Sequence, residues 1–236
     1  MLLPKFIRKI LKHKEMFDFY KTYVNANDLC FDIGANIGER TDVLLKIGAK
    51  VIAIEPQSSC FHAMRKKYGK NKKVDVLNFA VGSQEKLAQL MICDENKECS
   101  TLSNQFIDLY ALKSNLNWST LEEVKVVTLE NLCQQYGVPK FCKIDVEGYE
   151  SEVFLGLKTP IKYICFEFNM LLLNDTAKSL KVLSSIGNYH CNYIKYEQMN
   201  LILENWMPID EFCNNLTQII PPNILTGEII VKHING

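Results

Sequence analysis

No stretch of this sequence approaches the roughly 18 consecutive apolar residues that a membrane-spanning helix requires. Net charge is missing too: 27 Lys and Arg stand against 27 Asp and Glu, so nothing attracts the chain generally to a phosphate backbone. Nucleic acid is therefore not expected as a partner. No internal repeat and no linker rich in Gly, Pro or Ser breaks the chain, which points to one domain. Its nine cysteines are an odd number and include no C-x-x-C pair. Cys30, Cys142 and Cys165 sit in apolar runs, as small buried thiols of a reducing compartment do. With only four His and no paired ligand spacing, no metal site is expected. The amino terminus lacks both an uninterrupted apolar core and a small-residue cleavage site, so a cytoplasmic protein without a secretory signal is expected.

What is present is an ordinary globular composition, 47% hydrophobic and 23% charged over 236 residues. One α/β domain of this length buries roughly 70% of its unfolded surface without disulfides or metals. Residues 1–25 read as a separate basic amphipathic helix. Phe6, Ile7, Ile10 and Leu11 recur at helical spacing, with Lys5, Arg8, Lys9, Lys12 and Lys14 between them. Such a helix packs on the domain and leaves a solvated cationic face, which at most makes a weak peripheral contact with an anionic membrane.

From residue 26 to 236 strand and helix alternate. The expected strands are 28–33, 50–55, 74–81, 141–146 and 163–168. The expected helices are 39–48, 58–69 (opened by a Ser cap), 129–137 and 176–187. The segments CNYIKY, NLILE and GEIIVKH suggest closing strands. This order predicts a Rossmann-like, doubly wound α/β fold. Its sheet is mostly parallel with an antiparallel edge strand, and helices cover both faces. Residues 84–127 break the rhythm as an insertion, with strands LAQLMIC and VKVVT around a polar, mobile stretch from Asn96 to Asn117.

FDIGANIGERT (31–41) joins the first strand to its helix. Gly34 and Gly38 permit turns that a Cβ blocks, and the helix start offers free N–H groups to an anion or carboxylate. Asp32 ends the strand, and Glu55 ends the next one, about 20 residues past the first glycine, where an acid accepts hydrogen bonds from ribose hydroxyls. The spacing G-x-N-x-G, with Asn36 between the glycines, matches a pyrophosphate loop poorly. S-adenosyl-L-methionine, with an ammonium, a sulfonium and no phosphate, suits these acids better than a dinucleotide.

At these residues the sequence resembles the FkbM family of class I, Rossmann-like methyltransferases. FDIGANIGERT and AIEP resemble its first two blocks, FAVGS (79–83) the third and STL (100–102) a short later one. VVTLENL (126–132) and KIDVEGYESEVFLG (143–156) resemble the most distinctive blocks, followed by FEF (166–168). The resemblance spans roughly residues 28 to 170. It implies cofactor contacts from the Asp32–Gly38 turn, which includes Ala35, and from Glu55, with adenine near Ala80 and Val81. It also implies methyl transfer to a hydroxyl of a sugar, a glycan or a secondary metabolite.

KIDVEGYE lies at the carboxyl end of a buried strand, where doubly wound sheets place ligands. Asp145 is the first candidate to orient the acceptor or take its proton, Glu147 the second, with Lys143 tuning Asp145. Alternatives stay open. Asp145 could hold the cofactor's methionyl end, Glu147-Gly148 could start the next helix, and the paired acids could bind a divalent cation. Glu167 could point into the same cleft. Ser100 and Thr101 could line it or serve the loop, and His13, His62, His190 and His233 join no constellation. The competing classes are an NAD-linked oxidoreductase and a non-catalytic adaptor that keeps the fold.

Overall fold

The structure, a computed structural model, describes residues 5–111, 113–195 and 198–234; within residues 5–10 only the side chain of Ile7 is described. The predicted helical face at Lys5, Phe6, Arg8, Lys9 and Ile10 therefore lies outside the described side chains, as does Tyr196 of the CNYIKY segment. Helix α1 (Lys5–Tyr20) precedes β1 (Leu29–Ile33), α2 (Glu39–Ile47), β2 (Lys50–Ile54), α3 (Ser58–Tyr68) and β3 (Val74–Leu77). Then come β4 (Ala80–Gly82), β5 (Lys86–Ile92), α4 (Asn104–Ala111) and β6 (Thr120–Thr128). The alternation resumes with α5 (Leu129–Tyr136), β7 (Phe141–Ile144), α6 (Glu150–Leu155), β8 (Tyr163–Asn169) and α7 (Leu173–Ile186). Strand β9 (Tyr189–Lys195), the two-residue β10 (Met207–Pro208), α8 (Ile209–Asn214), α9 (Leu216–Ile219) and β11 (Thr226–His233) follow. Among the described residues no helix is long and apolar enough to cross a membrane.

The main sheet has the order β10-β9-β11-β8-β7-β1-β2-β3. Strands β3, β2, β1, β7 and β8 run parallel. An antiparallel strand stands at the edge as expected, β10 against β9. A second one, β11, is inserted between β8 and β9 and runs antiparallel to both. Alternation along each strand splits the core in two. Phe31, Ile33, Cys142 and Ile144 pack against α5, α6, α7 and α8 through Leu132, Phe154, Leu183 and Phe212. Cys30, Phe141, Cys165 and Ile230 face the other way, against Met16 and Tyr20 of α1, Leu44 of α2 and Met64 of α3. The same period sends Asp32, Lys143, Glu167 and Glu228 toward the α1–α3 side.

Three expectations change. The run 74–81 is not one strand: β3 closes the edge of the main sheet, whereas β4 pairs with β6 in a separate sheet of order β4-β6-β5. The cause is Asn78, whose side-chain amide donates to the carbonyls of Glu55 and Pro56 and turns the chain there. NLILE forms no strand either. Asn192 of β9 holds Leu203 through its own side chain, donating to the Leu203 carbonyl (2.8 Å) and accepting from its amide (3.0 Å), in place of a ladder. Finally, Ser58 does not cap α3 with its own oxygen; its amide and hydroxyl both donate to Glu122 of β6.

Candidate functional site

The turn after β1 is held by backbone. Gly34 and Ala35 donate their amides to the Ile54 carbonyl (2.9 and 3.1 Å), which ties the turn to the tip of β2. Gly34 has φ +75°, and a Cβ there would lie 1.8 Å from the Asp145 carbonyl oxygen. No other residue fits, because the backbone of Asp145, just past β7, lies directly beneath. Asn36 also takes a positive φ, +50°. Glu55 fastens the turn from the side, accepting from the Asn36 amide (2.7 Å) and the Gln57 amide (2.8 Å). Burial pushes the Glu55 carboxyl up to about 7, against the pull of those two amides. Asp32, 1% exposed, accepts from the Thr41 hydroxyl at 2.5 Å. Burial raises its pKa as well.

A cavity of about 560 Å³ opens above these groups at the carboxyl ends of β1, β2, β7 and β8. Asp32, Gly34, Ala35, Asn36 and Glu55 form one wall, Ala80 and Val81 a second, and Asp145 and Glu147 a third. Gly38 is the exception among the sequence-assigned residues. It does not line the cavity but starts α2 at φ +83°, with the Tyr68 hydroxyl 2.8 Å from its carbonyl. The insertion supplies a further wall. A 3-10 turn at Lys97–Cys99 and the residues after it reach the cavity, anchored by Gln57, whose side chain donates to the Lys97 carbonyl and the Ser100 hydroxyl. Ser100 and Thr101 both line the cavity with hydroxyls engaged internally: the Cys93 amide donates to Ser100, and Thr101 donates to the Glu147 carbonyl (2.8 Å).

The floor is a charge network. Lys143, 1% exposed, has Nζ 3.3 Å from Asp145 and 3.4 Å from Glu228, and also donates to the Ile144 carbonyl. Arg40 of α2 lies 3.4 Å from Glu228 and 3.7 Å from Asp145. The Cys165 thiol donates to the second Glu228 oxygen at 2.8 Å. Burial opposes ionisation of Asp145 and Glu228, but Lys143 and Arg40 outweigh it and hold both carboxyls below their ordinary value. Glu147 and Glu167 make no ion pair among the described residues, and the pull of Lys143 on them is minor. Burial first, and neighbouring carboxylates second, push both well above the usual range.

Carboxylate oxygens of Asp145, Glu147 and Glu167 lie within 4.8 Å of one another. The sequence offered no third convergent ligand beside Asp145 and Glu147; Glu167, at the end of β8, is that third group. Such a trio has the donors for a hard divalent cation, or for a shared proton. Glu147 sits at φ +53°, an uncommon conformation outside glycine.

Sequence reasoning missed Arg40 and Glu228, and it also missed Lys12 and His13 of α1. His13, which joined no constellation in the sequence, lies 3.4 Å from Glu39 and lines the cavity, with Lys12 3.6 Å from the same carboxylate. The signal for Glu228 was an acid inside the apolar strand GEIIVKH, which needs a buried partner. Arg40 carried no such signal.

The family model described as the methyltransferase FkbM domain matches residues 32–194. No curated protein matches the chain. Among solved structures, the O-methyltransferase from Bacillus cereus in complex with SAH is 11% identical, with 99% of this chain and 83% of that one covered at a TM-score of 0.47. Precorrin-6y C5,15-methyltransferase from Geobacter metallireducens is 9% identical over 92% and 87%, also at 0.47. An rRNA methylase from Streptococcus thermophilus is 8% identical over 93% and 94%, at 0.45. Likeness at this level bears on neither chemistry nor substrate.

Proposed function

The chain belongs to the FkbM methyltransferase family, and from that premise we propose that it moves a methyl group from S-adenosyl-L-methionine to a hydroxyl of a small molecule or glycan. The observation that carries this reading is one cavity walled by the β1–α2 turn, Glu55 and the β7 carboxylates. Its groups fit the donor. Glu55 keeps free lone pairs for the ribose hydroxyls, Ala80 and Val81 offer apolar surface to adenine, and Asp32 with the Gly34–Asn36 turn faces the methionyl end. A pyrophosphate fits badly, because Asp32, Glu55, Asp145 and Glu228 all line the space.

The donor supplies a methyl group already activated on a sulfonium. The chain's own work is then to align an acceptor oxygen, exclude water and take one proton. We assign alignment to Asp145, which Lys143 and Arg40 keep ionised. The proton passes to the Glu147–Glu167 pair, whose raised proton affinity suits it to accept from an alcohol once one of the two is deprotonated. The same carboxylates repel phosphates at the acceptor end, which supports a small hydroxylated acceptor over RNA.

Calorimetric titration tests the donor. Micromolar binding of S-adenosyl-L-methionine and S-adenosylhomocysteine, with no response to NAD, is expected; NAD binding alone restores the oxidoreductase reading. Radiolabelled transfer to a panel of glycans, hydroxylated metabolites and RNA tests the acceptor, and label in RNA alone defeats the small-acceptor reading. Chelation with EDTA is expected to leave turnover unchanged. A loss restored by Mg²⁺ reassigns the three carboxylates to a cation.

A further inference from the structure

The donor proposed above carries an α-carboxylate, and among the charged residues that line the cavity acids outnumber cations, with Asp32, Glu55, Asp145, Glu147, Glu167 and Glu228 among them. An anion can sit there only beside cationic donors. Lys67 and Lys97 line the cavity but are engaged elsewhere: Lys67 pairs with Asp42 at 2.5 Å, and Lys97 donates to Ser59. The remaining cations gather on the α1–α2 side, where Arg40, Lys12 and His13 all reach the cavity.

Arg40 is incompletely used. One terminal nitrogen donates to Glu228 at 3.4 Å and lies 3.7 Å from Asp145, the other lies 3.8 Å from Glu39, and Nε is buried with no hydrogen-bond partner among the described residues. Because Nε is buried, the N–H groups open to a ligand oxygen are those of the terminal nitrogen beside Glu39, which makes no hydrogen bond among the described residues, and a guanidinium at a cavity wall suits a carboxylate. Glu39 shows that this corner accepts one. Its carboxylate lies loosely among the cations, 3.6 Å from Lys12, 3.4 Å from His13 and 3.8 Å from Arg40. These three contacts are ion pairs and none is a hydrogen bond, so a ligand carboxylate can take that place.

We infer that Arg40, backed by Lys12 of α1, receives the α-carboxylate of the donor's methionyl tail, making α1 a wall of the cofactor site. This rests on the methyl-donor reading. Lys12 lies outside residues 32–194, the span matched by the family model.

Decarboxylated S-adenosylmethionine keeps the adenosine, sulfonium and ammonium and lacks only the carboxylate. The experiment measures calorimetric Kd for both forms on the full chain and on Arg40→Gln, Arg40→Lys and Lys12→Ala. The wild type is expected to prefer the carboxylated donor by roughly 10- to 100-fold, the worth of charge-assisted hydrogen bonds. Arg40→Gln should collapse that preference to within about threefold by weakening the carboxylated donor alone, with Arg40→Lys intermediate and Lys12→Ala giving a smaller loss. Equal weakening of both ligands in Arg40→Gln, or an unchanged preference, overturns the assignment. Should Arg40→Gln fail to fold, a wild type that does not discriminate, or a Lys12→Ala that discriminates fully, overturns it as well. A wild type that binds neither form defeats the donor reading itself, a separate result.

Discussion

At the scale of single residues, the site is a set of carboxylates whose proton affinities have been driven apart. Glu55 and Glu150 are raised by burial to about 7 and about 8 from an ordinary value near 4.5. Between those limits the folded chain holds protons that the unfolded chain releases, so these two groups favour the fold below about pH 4.5 and lose that contribution as pH rises through 7 and 8. Asp145 and Glu228 are shifted the other way, and their contribution is lost only in acid. The melting temperature of the ligand-free protein is thus expected to fall between pH 5 and 8. Glu150→Gln, which keeps an acceptor for the Val146 amide, should flatten the slope; a melting temperature that rises over that range contradicts the assignment. Glu55→Ala strips the Asn36 and Gln57 amides of their acceptor and should weaken donor binding by more than about tenfold in calorimetry. Asp32 and Glu55 were legible in the sequence because strand ends and glycine spacing mark them. Arg40 was not, and the lone acid Glu228 in its apolar strand called for a buried partner without naming one, since the two meet across 188 positions and no local pattern reports such a contact.

At the scale of elements, the strand tips are interlocked rather than adjacent. Gly34→Ala drives a methyl group into the Asp145 backbone just past β7 and forces a positive φ on a side chain, so a loss of about 3 kcal/mol or more is expected in denaturant titration. Lys143→Met leaves Asp145 and Glu228 with Arg40 as their remaining close cation, and removing one partner of a buried ion network costs about 3–5 kcal/mol. An unchanged unfolding midpoint for Lys143→Met shows that Arg40 suffices. Most elements could be read from periodicity, because a two-residue or 3.6-residue repeat is a local property. The failures share a cause. In 74–81 and 200–204 the apolar pattern suits a strand, but the side chains of Asn78 and Asn192 claim the backbone groups that a ladder needs. The antiparallel entry of β11 between β8 and β9 was equally hidden, since strand order is decided by packing at long range.

At the scale of the whole molecule, a bound donor should stabilise everything that walls its cavity. Donor at a hundred times its Kd is worth about 2.7 kcal/mol, which for a chain of this size raises the melting temperature by roughly 5–10 °C. NAD at the same concentration should leave it unmoved, and a matching rise with NAD counts against the assigned donor. The step at Asn78 gives this stabilisation a direction. Because the chain leaves one sheet at Leu77 and enters the other at Ala80, the ligand's floor belongs to the large sheet while Ala80, Val81 and Leu90 belong to the small one. Whatever occupies the space touches both sheets at once, and is expected to act as a rivet across that seam.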